Sequence, residues 1–248
     1  MLTLATTTES HGPLGEPEIF ASIQGEGRSA GLPCTFVRLS RCNLACVWCD
    51  TAYTWHFEGD ERAHRDGLTF NRSANQIVLS EAEVAARIMA LGGERLVITG
   101  GEPLLQGAAL ARMARVLEGH TIEIETNGTV APHPELDALT AQYNVSPKLK
   151  HSGNTAEIAL LPERFTAWKN EPKAHFKFVI AAPEDLSEVL ALQQTYAIRS
   201  DRIQLMPEGT TSAAIRARTA WLAPLALDHG LGFSDRLHIH LYGDTRGT

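Results

Sequence analysis

The sequence contains little cysteine and no long apolar run. Only 4 of its 248 residues are cysteine, which is too few for a disulfide scaffold and is typical of a reducing compartment. No apolar stretch approaches the roughly 20 residues that a membrane-spanning helix requires. The opening segment MLTLATTTESHG lacks the basic and apolar regions of a signal peptide. We therefore expect a cytoplasmic protein that has no membrane partner.

Positive charge is also scarce. The 22 Lys and Arg residues stand against 29 Asp and Glu residues, which gives a net charge of −7. Proteins that bind nucleic acid cluster Lys and Arg against the phosphates, so this composition argues against a nucleic-acid partner. With 44% hydrophobic residues, the chain can bury a full core. The length suits one domain, which we place at residues 16–248, after a polar segment at residues 1–15 that we expect to be loosely ordered.

Extended and helical patterns alternate along the chain. Ser80 and Glu83 form a capping-box pattern ahead of a helical stripe that ends at Gly92. Because strands separated by helices form right-handed parallel units, we predict an α/β fold, built as an open sheet or as part of a barrel. We also expect a last extended run at residues 235–242 and a polar insertion at residues 56–79, which forms a lid or is disordered. The predicted strands lie at residues 35–40, 95–99, 121–126, 143–146, 175–180 and 202–206, and further helices at about 104–118, 184–195 and 212–229.

Polar or glycine residues follow the first four of these strands. Cys42 comes after the first strand, Gly100 and Gly101 after the second, Asn127 after the third and Lys148 after the fourth. In parallel α/β folds, ligands bind at the carboxyl ends of the strands. The sequence therefore predicts one binding site at this end of the sheet.

Three of the four cysteines lie close together in the pattern C-x3-C-x2-C, at Cys42, Cys46 and Cys49. A structural zinc ion takes four ligands, but Cys34 stands at the opposite end of the predicted strand, where we expect a core residue. His56 and His64 fall in the polar insertion, where we expect them to be solvated. Three thiolates suit a 4Fe–4S cluster that keeps one iron open for another molecule. We therefore favour an iron–sulfur cluster and keep a zinc site as the alternative.

The cysteine pattern resembles the signature of the radical S-adenosylmethionine (SAM) enzymes. The resemblance implies that the open iron of a 4Fe–4S cluster holds the methionine part of SAM, whose reductive cleavage yields a 5′-deoxyadenosyl radical. It also implies an open, partial (β/α)6-type barrel with trimmed helices. Trp48 stands where the family has an aromatic residue beside the adenine. The run TGGEP (99–103) resembles the second motif of the family, in which Gly101 would bind the methionine amino group.

The same resemblance implies a set of SAM contacts in the cysteine loop and after later strands. In the run QLMP, Leu205 stands where the family pattern Gln-Pro-Met has proline. The implied SAM-binding residues are Trp48, Cys49, Asp50, Gly101, Glu102, Asn127, Ser146, Pro147, Lys148, Gln204, Leu205, Met206 and Pro207.

Further segments resemble one branch of this superfamily, the 7-carboxy-7-deazaguanine synthases of the queuosine and 7-deazapurine pathway. These segments are IFASIQGEG (19–27), FVRLSRCN (36–43) and CDT (49–51). The resemblance runs from about Glu18 to the terminal YGDTRGT, so it covers most of the chain. It implies a lyase that converts 6-carboxy-5,6,7,8-tetrahydropterin to 7-carboxy-7-deazaguanine and ammonia by a radical ring contraction.

Residue roles follow from the same resemblance. The Arg38 guanidinium would pair with the substrate carboxylate, and Glu125 would be an acid–base group near the reaction centre; we take these two as the catalytic residues. Thr51 would bind Mg²⁺, a hard cation that prefers oxygen ligands. The C-terminal residues would fold back toward the site. The remaining substrate contacts would come from Ile23, Gln24, Gly25, Glu26, Thr99 and His240.

The resemblance also implies a flavodoxin- or ferredoxin-type reductant and a homodimer. Two other functions stay open. One is a glycyl-radical-enzyme activase, against which the run SIQGEG and Arg38 argue. The other is a non-catalytic iron–sulfur electron carrier or zinc-binding module. A radical enzyme that modifies nucleic acid is disfavoured by the acidic charge.

Overall fold

The computed structural model describes residues 1–7 and 15–248, and its strands all belong to one sheet. The strands are Leu2–Ala5 (β1), Ile19–Ile23 (β2), Pro33–Leu39 (β3), Gln76–Leu79 (β4), Arg95–Gly100 (β5), Thr121–Thr126 (β6), Thr140–Val145 (β7), Ala174–Ile180 (β8), Ile203–Pro207 (β9) and Gly232–Phe233 (β10).

The six predicted strands are confirmed as β3 and β5 to β9, which run parallel and lie side by side in chain order. β10 extends the parallel sheet beside β9. β1 and β2 both pair antiparallel with β3, and β4 pairs antiparallel with β1. Within the described part of the chain, β10 and β4 end the main strand order and do not pair with each other, while β2 lies off this order beside β3. The sheet is therefore open, as expected of a partial barrel.

Helices connect most of the parallel strands. Ahead of one of them, Ser80 Oγ accepts from the Glu83 amide at 3.2 Å while the Ser80 amide donates to Glu83 Oε2 at 2.8 Å, which is the predicted capping box. That helix ends at Gly92, whose φ of +70° favours glycine. The helix predicted at 104–118 is shorter, because a 3₁₀ turn at Pro103–Gln106 precedes it. The helices are Arg72–Asn75 (α1), Glu81–Leu91 (α2), Gly107–Ala114 (α3), Pro134–Leu139 (α4), Ala156–Ala159 (α5), Pro162–Asn170 (α6), Asp185–Tyr196 (α7), Ser212–Asp228 (α8) and Leu237–Tyr242 (α9).

The main hydrophobic core lies between the sheet and the helices, and strand alternation separates it from a polar interior. In β6, Ile122 and Ile124 belong to the core. Glu123 and Glu125 point to the opposite face, where both accept a hydrogen bond from the Gln24 side chain. Because side chains alternate along a strand, one strand builds both the core and the candidate site.

Residues 2–5 form a strand, so the expectation of a loosely ordered segment at residues 1–15 is wrong there. Leu2 and Leu4 are fully buried, and β1 pairs with β4 along its whole length. β4 comes from the end of the 56–79 segment, so the partner that orders β1 lies far along the chain and leaves no local signal. The same expectation also covers residues 8–14, which lie outside the described residues.

The segment at residues 56–79 is neither disordered nor fully solvated. It packs behind the cysteine loop and supplies α1 and β4. His56 is 3% exposed and its Nδ1 lies 2.7 Å from the Leu68 carbonyl oxygen. The His64 side chain is also buried, with Nε2 2.9 Å from the Cys49 carbonyl oxygen. The expectation of solvated histidines is therefore wrong, since both rings brace backbone rather than face water.

Candidate active site

A cavity of about 220 Å³ opens on the inner face of the sheet, next to the cysteine loop and the C-terminal segment. Of the catalytic, metal-binding, SAM-binding and substrate-binding residues predicted from the sequence, 18 line it: Ile23, Gln24, Gly25, Glu26, Arg38, Cys42, Cys46, Trp48, Cys49, Asp50, Thr51, Thr99, Gly101, Glu125, Asn127, Ser146, Lys148 and Met206. The lining does not include Glu102, Pro147, Gln204, Leu205, Pro207 or His240.

The three clustered cysteines all line this cavity. Burial raises the pKa of Cys42 to about 12 and that of Cys46 to about 11. Thiolates at these positions therefore require a cationic partner, as a metal centre would provide. Each sulfur is met by an N–H donor: Leu44 N at 3.5 Å from Cys42 Sγ, Asn154 Nδ2 at 3.4 Å from Cys46 Sγ, and Trp55 Nε1 at 3.4 Å from Cys49 Sγ.

Cys34 lies apart from this cluster. It is 6% exposed and packs in a small apolar group with Phe36 and Val97. Its position in β3 is the core position predicted from the sequence.

An aromatic corner stands beside the cysteine loop. The Trp48 ring stacks on His151, with 5.5 Å between the ring centroids. Lys148 Nζ lies 5.6 Å from the Trp48 centroid and donates to Ser146 Oγ at 2.9 Å. A flat ring bordered by a cation and a hydroxyl suits a polar heterocycle, which can stack and accept hydrogen bonds there.

The two glycines after β5 allow that strand to contact the start of the cysteine loop. A Cβ on Gly100 would lie 2.0 Å from the Leu39 carbonyl oxygen, and one on Gly101 would lie 2.1 Å from the Arg41 carbonyl oxygen. The Gly101 amide donates to that Leu39 oxygen at 3.0 Å. The double glycine therefore sets the distance between two strand ends at the site.

Gly100→Ala is expected to lower the free energy of unfolding by at least about 2 kcal/mol, because the new Cβ meets backbone and φ is +129°. Urea denaturation measures the change. Gly93→Ala is the matched control, since Gly93 has φ of +90° but nothing within 4 Å of a new Cβ. We expect about 1 kcal/mol there. Equal losses in the two variants would show that backbone conformation alone, without the close approach, explains the Gly100 effect.

Glu102 ties two loops together rather than facing the cavity. Its carboxylate accepts from the Leu104 amide at 3.0 Å, the Asn127 amide at 2.7 Å and Thr126 Oγ1 at 2.9 Å. Burial raises the pKa of Glu102 to about 7 despite these donors. Glu102 therefore fixes the end of β6 relative to the Gly-Gly loop and does not line the cavity.

The turn after β2 is anchored to the polar interior. Gln24 Nε2 donates to Glu123 Oε1 at 2.9 Å and to Glu125 Oε1 at 3.3 Å. Glu125 also accepts from Thr99 Oγ1 at 2.7 Å and lies 3.6 Å from Lys177 Nζ. Glu125 therefore joins the turn to a hydroxyl and a cation at the floor of the cavity.

Arg38 has a partner that the sequence analysis missed. Its Nε lies 2.8 Å from Glu18 Oε2, and Tyr53 Oη donates to both oxygens of Glu18, at 3.0 and 2.9 Å. Glu18 is fully buried. Among the described residues, the terminal nitrogens of Arg38 have no hydrogen-bonded protein partner. Arg38 therefore lines the cavity with its Nε in an ion pair with Glu18 that lacks hydrogen-bond geometry.

Two further cations in the cavity were also missed. Lys177 Nζ donates to Glu26 Oε2, and Arg236 contacts both Glu26 and Asp50. The sequence does indicate Lys177, because it is a charged residue in the otherwise apolar strand HFKFVI. Alternation along the strand places its side chain on the face opposite Phe176 and Phe178. No pattern in the sequence indicates Arg236, since its partners Glu26 and Asp50 come from distant segments of the chain.

Among the described residues, the side-chain hydroxyl of Thr51 has one weak contact. It lines the cavity, and its Oγ1 lies 3.6 Å from Cys49 Sγ. The neighbouring Asp50 is engaged by Arg236. The hydroxyl of Thr51 is thus the oxygen ligand that this loop can offer to a cation.

The final segment differs from expectation, because residues 237–242 form α9 instead of a strand. His240 turns away from the cavity, with Nδ1 2.9 Å from Ser212 Oγ and Nε2 3.3 Å from Asp235 Oδ1. His238 lines the cavity instead. The placement of His240 against substrate is therefore wrong, because two residues that share a strand face point about 200° apart on a helix.

Only Met206 of the QLMP run faces the cavity. Leu205 is fully buried in the core, and Pro207 pairs with Ile180 in the sheet. Alternation along β9 accounts for the difference between Met206 and its neighbours.

The C-terminal residues do fold back over the site. Asp244, Arg246 and Thr248 line the cavity. The Arg246 guanidinium lies 3.6 Å above the Tyr53 ring, and its Nη1 donates to Asn75 Oδ1 at 2.8 Å. The tail is thus attached to the 56–79 segment and closes one side of the cavity.

Comparison with known families identifies this architecture. Residues 37–190 match the model of the radical SAM superfamily. The chain is 36% identical over 235 residues to the 7-carboxy-7-deazaguanine synthase of Pyrobaculum aerophilum, which covers 93% of this chain and 95% of that protein. It is 34% identical to the enzyme of the same name from Halobacterium salinarum, over 93% of this chain and 91% of that one.

Solved structures agree with the sequence relatives. The crystal structure of QueE from Escherichia coli superposes with a TM-score of 0.63 at 25% identity, covering 95% of each chain. None of the helices among the described residues is long and apolar enough to cross a membrane.

Proposed function

Because the chain belongs to the radical SAM superfamily and, within it, to the 7-carboxy-7-deazaguanine synthase family, we propose that it converts 6-carboxy-5,6,7,8-tetrahydropterin to 7-carboxy-7-deazaguanine and ammonia. Family membership makes it a radical SAM lyase of 7-deazapurine biosynthesis with a 4Fe–4S cluster and SAM as cofactors. The observation that carries the substrate proposal is one cavity that contains the cysteine triad together with Arg38 and Gln24.

The cysteine loop fits the cluster. All three cysteines line the cavity, and each sulfur is met by an N–H donor of the kind that tunes iron–sulfur centres. When bound, the cluster and SAM supply a 5′-deoxyadenosyl radical. The residues of this chain bind, orient and enclose the reactants. In the proposal, Cys42, Cys46 and Cys49 hold the cluster.

The aromatic corner next to the loop would hold SAM. Trp48 offers a ring face for the adenine, while Lys148 and Ser146 offer polar groups beside it. Gly101 permits close approach of backbone to the methionine end. Asn127 lines the same wall, where its side chain is oriented by Asn43 at 3.0 Å.

Arg38 is proposed to bind the substrate carboxylate. Glu18 holds the Nε side of the guanidinium, so the two terminal nitrogens remain for a two-point contact with a carboxylate. Glu18 also balances the charge of Arg38 when the carboxylate is absent. The Glu18–Tyr53 pair therefore orients Arg38 and does not compete for its fork.

Gln24 and Glu125 are proposed to meet the pterin ring. Glu123 and Glu125 lock the Gln24 amide group, so its orientation is set before any ligand binds. A pterin edge presents both donors and acceptors. Because the Gln24 Nε2 donates to Glu123 and Glu125, its amide oxygen would meet a pterin donor, and backbone groups at Ile23 and Gly25 would supply further contacts. Glu125 and Lys177, 3.6 Å apart, form a pair that can hold or move a proton at the ring.

Thr51 is proposed to bind Mg²⁺ together with the substrate. Its hydroxyl lines the cavity and has no hydrogen-bond donor directed at it among the described residues other than the weak Cys49 contact. A hydroxyl, the substrate carboxylate and waters make an oxygen set that suits Mg²⁺.

One anaerobic assay tests the function. The protein with reconstituted cluster is given reductant, SAM, Mg²⁺ and 6-carboxytetrahydropterin, and 7-carboxy-7-deazaguanine is sought by mass spectrometry. Its appearance supports the proposal. Formation of 5′-deoxyadenosine without that product would support the radical chemistry and contradict the proposed substrate. If neither forms with a fully loaded cluster, the proposed reaction is rejected and the electron-carrier alternative regains support.

Trp55→Phe is expected to make the reduction potential of the cluster more negative. The change keeps the ring and removes the N–H that donates to Cys49 Sγ at 3.4 Å, and donors to cluster sulfurs raise the potential. A redox titration followed by electron paramagnetic resonance, without SAM, measures it. Trp48→Phe is the control, because Trp48 Nε1 has no hydrogen-bond partner. Equal shifts in both variants would contradict the role of this hydrogen bond.

The remaining partners are part of the proposal. A flavodoxin- or ferredoxin-type protein would reduce the cluster in the cytoplasm, and the chain would act as a homodimer in which residues 16–248 and β1 form one domain. The glycyl-radical-enzyme activase is less favoured, because the cavity is lined by the C-terminal tail and by Arg38, which suit a small anionic substrate.

A further inference from the structure

Arg236 joins four separate parts of the site. Its Nε donates to Glu26 Oε1 at 3.0 Å, its Nη2 donates to Asp50 Oδ2, and its Nη1 donates to the Gly209 carbonyl oxygen. Glu26 belongs to the turn after β2, Asp50 to the cysteine loop, and Gly209 to the loop after β9. One planar group thus contacts three loops from its own position ahead of α9.

This contact is made almost without water. Arg236 is 7% exposed and Glu26 is also largely buried. Burial opposes the charges, yet Lys177 and Arg236 hold the pKa of Glu26 well below its usual range. Breaking one side of such a buried arrangement leaves an unpaired charge, so the loops are stable only when they are docked together.

The two acids stand in different halves of the site. Glu26 lies next to Gln24 and Gly25, which the proposed function gives to the substrate. Asp50 lies between Cys49 and Thr51, which the proposed function assigns to the cluster and to Mg²⁺. Hydrogen bonds also connect the turn to the Arg236 segment, because the Gly27 amide donates to Ser234 Oγ at 2.8 Å and the Leu237 amide donates to the Gly25 carbonyl at 2.9 Å.

We infer that Arg236 is a positioning residue that couples the cofactor loop to the substrate turn, so that SAM binding at the loop orders the turn before substrate arrives. The inference rests on the proposed function for the identity of the two halves. Its mechanism is geometric: a guanidinium reaches Glu26, Asp50 and the Gly209 carbonyl at once, whereas a lysine ammonium reaches only part of this set. Ligand binding that orders one loop then lowers the cost of ordering the other.

Hydrogen–deuterium exchange of the cluster-loaded protein, with and without saturating SAM and with no substrate, tests the inference. Protection of the peptide that contains Trp48 and Asp50 reports that SAM is bound. In the wild type, SAM is expected to slow exchange at residues 24–27 by at least about fivefold, the lower end of typical coupling between sites. In Arg236→Lys and Arg236→Gln, that slowing at 24–27 is expected to disappear.

Arg202→Lys is the matched control. Arg202 also binds several segments, since it donates to the carbonyl oxygens of Ala174 at 2.8 Å and Lys169 at 2.7 Å, but it lies outside the cavity lining. It is expected to keep the wild-type response. Absence of the response in the wild type, or its persistence in both Arg236 variants, overturns the inference. Because no substrate is used, failure of the proposed reaction would show separately, in the product assay.

Discussion

Cys46→Ala is expected to abolish cluster binding, and with it both cleavage of SAM and formation of 7-carboxy-7-deazaguanine. Cys46 lines the cavity, and its Sγ accepts from Asn154 Nδ2 at 3.4 Å. Removing one of three thiolates leaves too few ligands to hold a cube whose fourth iron must stay open for SAM. Iron and sulfide content, the visible absorption of the cluster and the yield of 5′-deoxyadenosine measure the result, and each should fall to background.

Cys34→Ala is the control for this prediction. Cys34 and Cys46 are equally buried, at 6% exposure each, but Cys34 packs against Phe36 and Val97. Both changes remove a buried sulfur, so a general loss of packing would affect the two variants alike. Full iron content in Cys34→Ala with none in Cys46→Ala supports the ligand assignment. Loss of iron from Cys34→Ala would overturn it.

Arg38→Lys is expected to lower formation of 7-carboxy-7-deazaguanine by at least about tenfold, because hydrogen bonds to charged groups contribute about 1.5–3 kcal/mol. Slow cleavage of SAM without substrate should persist, since no hydrogen bond or ion pair joins the Arg38 side chain to a proposed SAM-binding residue in the described part of the chain. Lysine keeps a positive charge near the buried Glu18, whereas alanine would leave that carboxylate unpaired in the interior. Product and 5′-deoxyadenosine are measured in the same reaction.

Arg95→Lys controls for the loss of a buried ion pair. Arg95 Nη1 lies 3.3 Å from Glu123, which is fully buried like Glu18, and Arg95 does not line the cavity. The control is expected to keep the ratio of product to 5′-deoxyadenosine. If Arg38→Lys reduced product and uncoupled cleavage equally, Arg38 would have a structural role only. Arg38→Ala would then be expected to show the same equal loss.

Charge pairing inside the sheet explains why these variants must be chosen carefully. Glu18, Glu26 and Glu123 each have a cationic partner within 3.3 Å. In this interior, a substitution that removes a charge also leaves its partner unpaired. Conservative changes that keep the charge and alter its shape therefore separate function from stability most clearly.

The sequence by itself determined the chemistry of the site and the parallel strands. Cys42, Cys46 and Cys49 lie within eight residues of the chain, so a single tight loop can bring the three thiolates together. Alternation in TIEIET separates Ile122 and Ile124 from Glu123 and Glu125, because side chains alternate along any strand. The double glycine at Gly100 and Gly101 indicates that another segment of backbone approaches closely, because glycine has no Cβ to collide with it.

Only the tertiary structure decided which distant groups meet. Arg236 lies 210 residues from Glu26 and 186 from Asp50, so no window of sequence contains the contact. Whether His238 or His240 faces the cavity depended on α9 being a helix, because a strand would have placed both on one face. β1 was ordered by pairing with β4, which is remote in the chain. Local patterns set which groups are available, and long-range packing sets their partners, because the energy of a buried charge or an edge strand depends on what the fold brings against it.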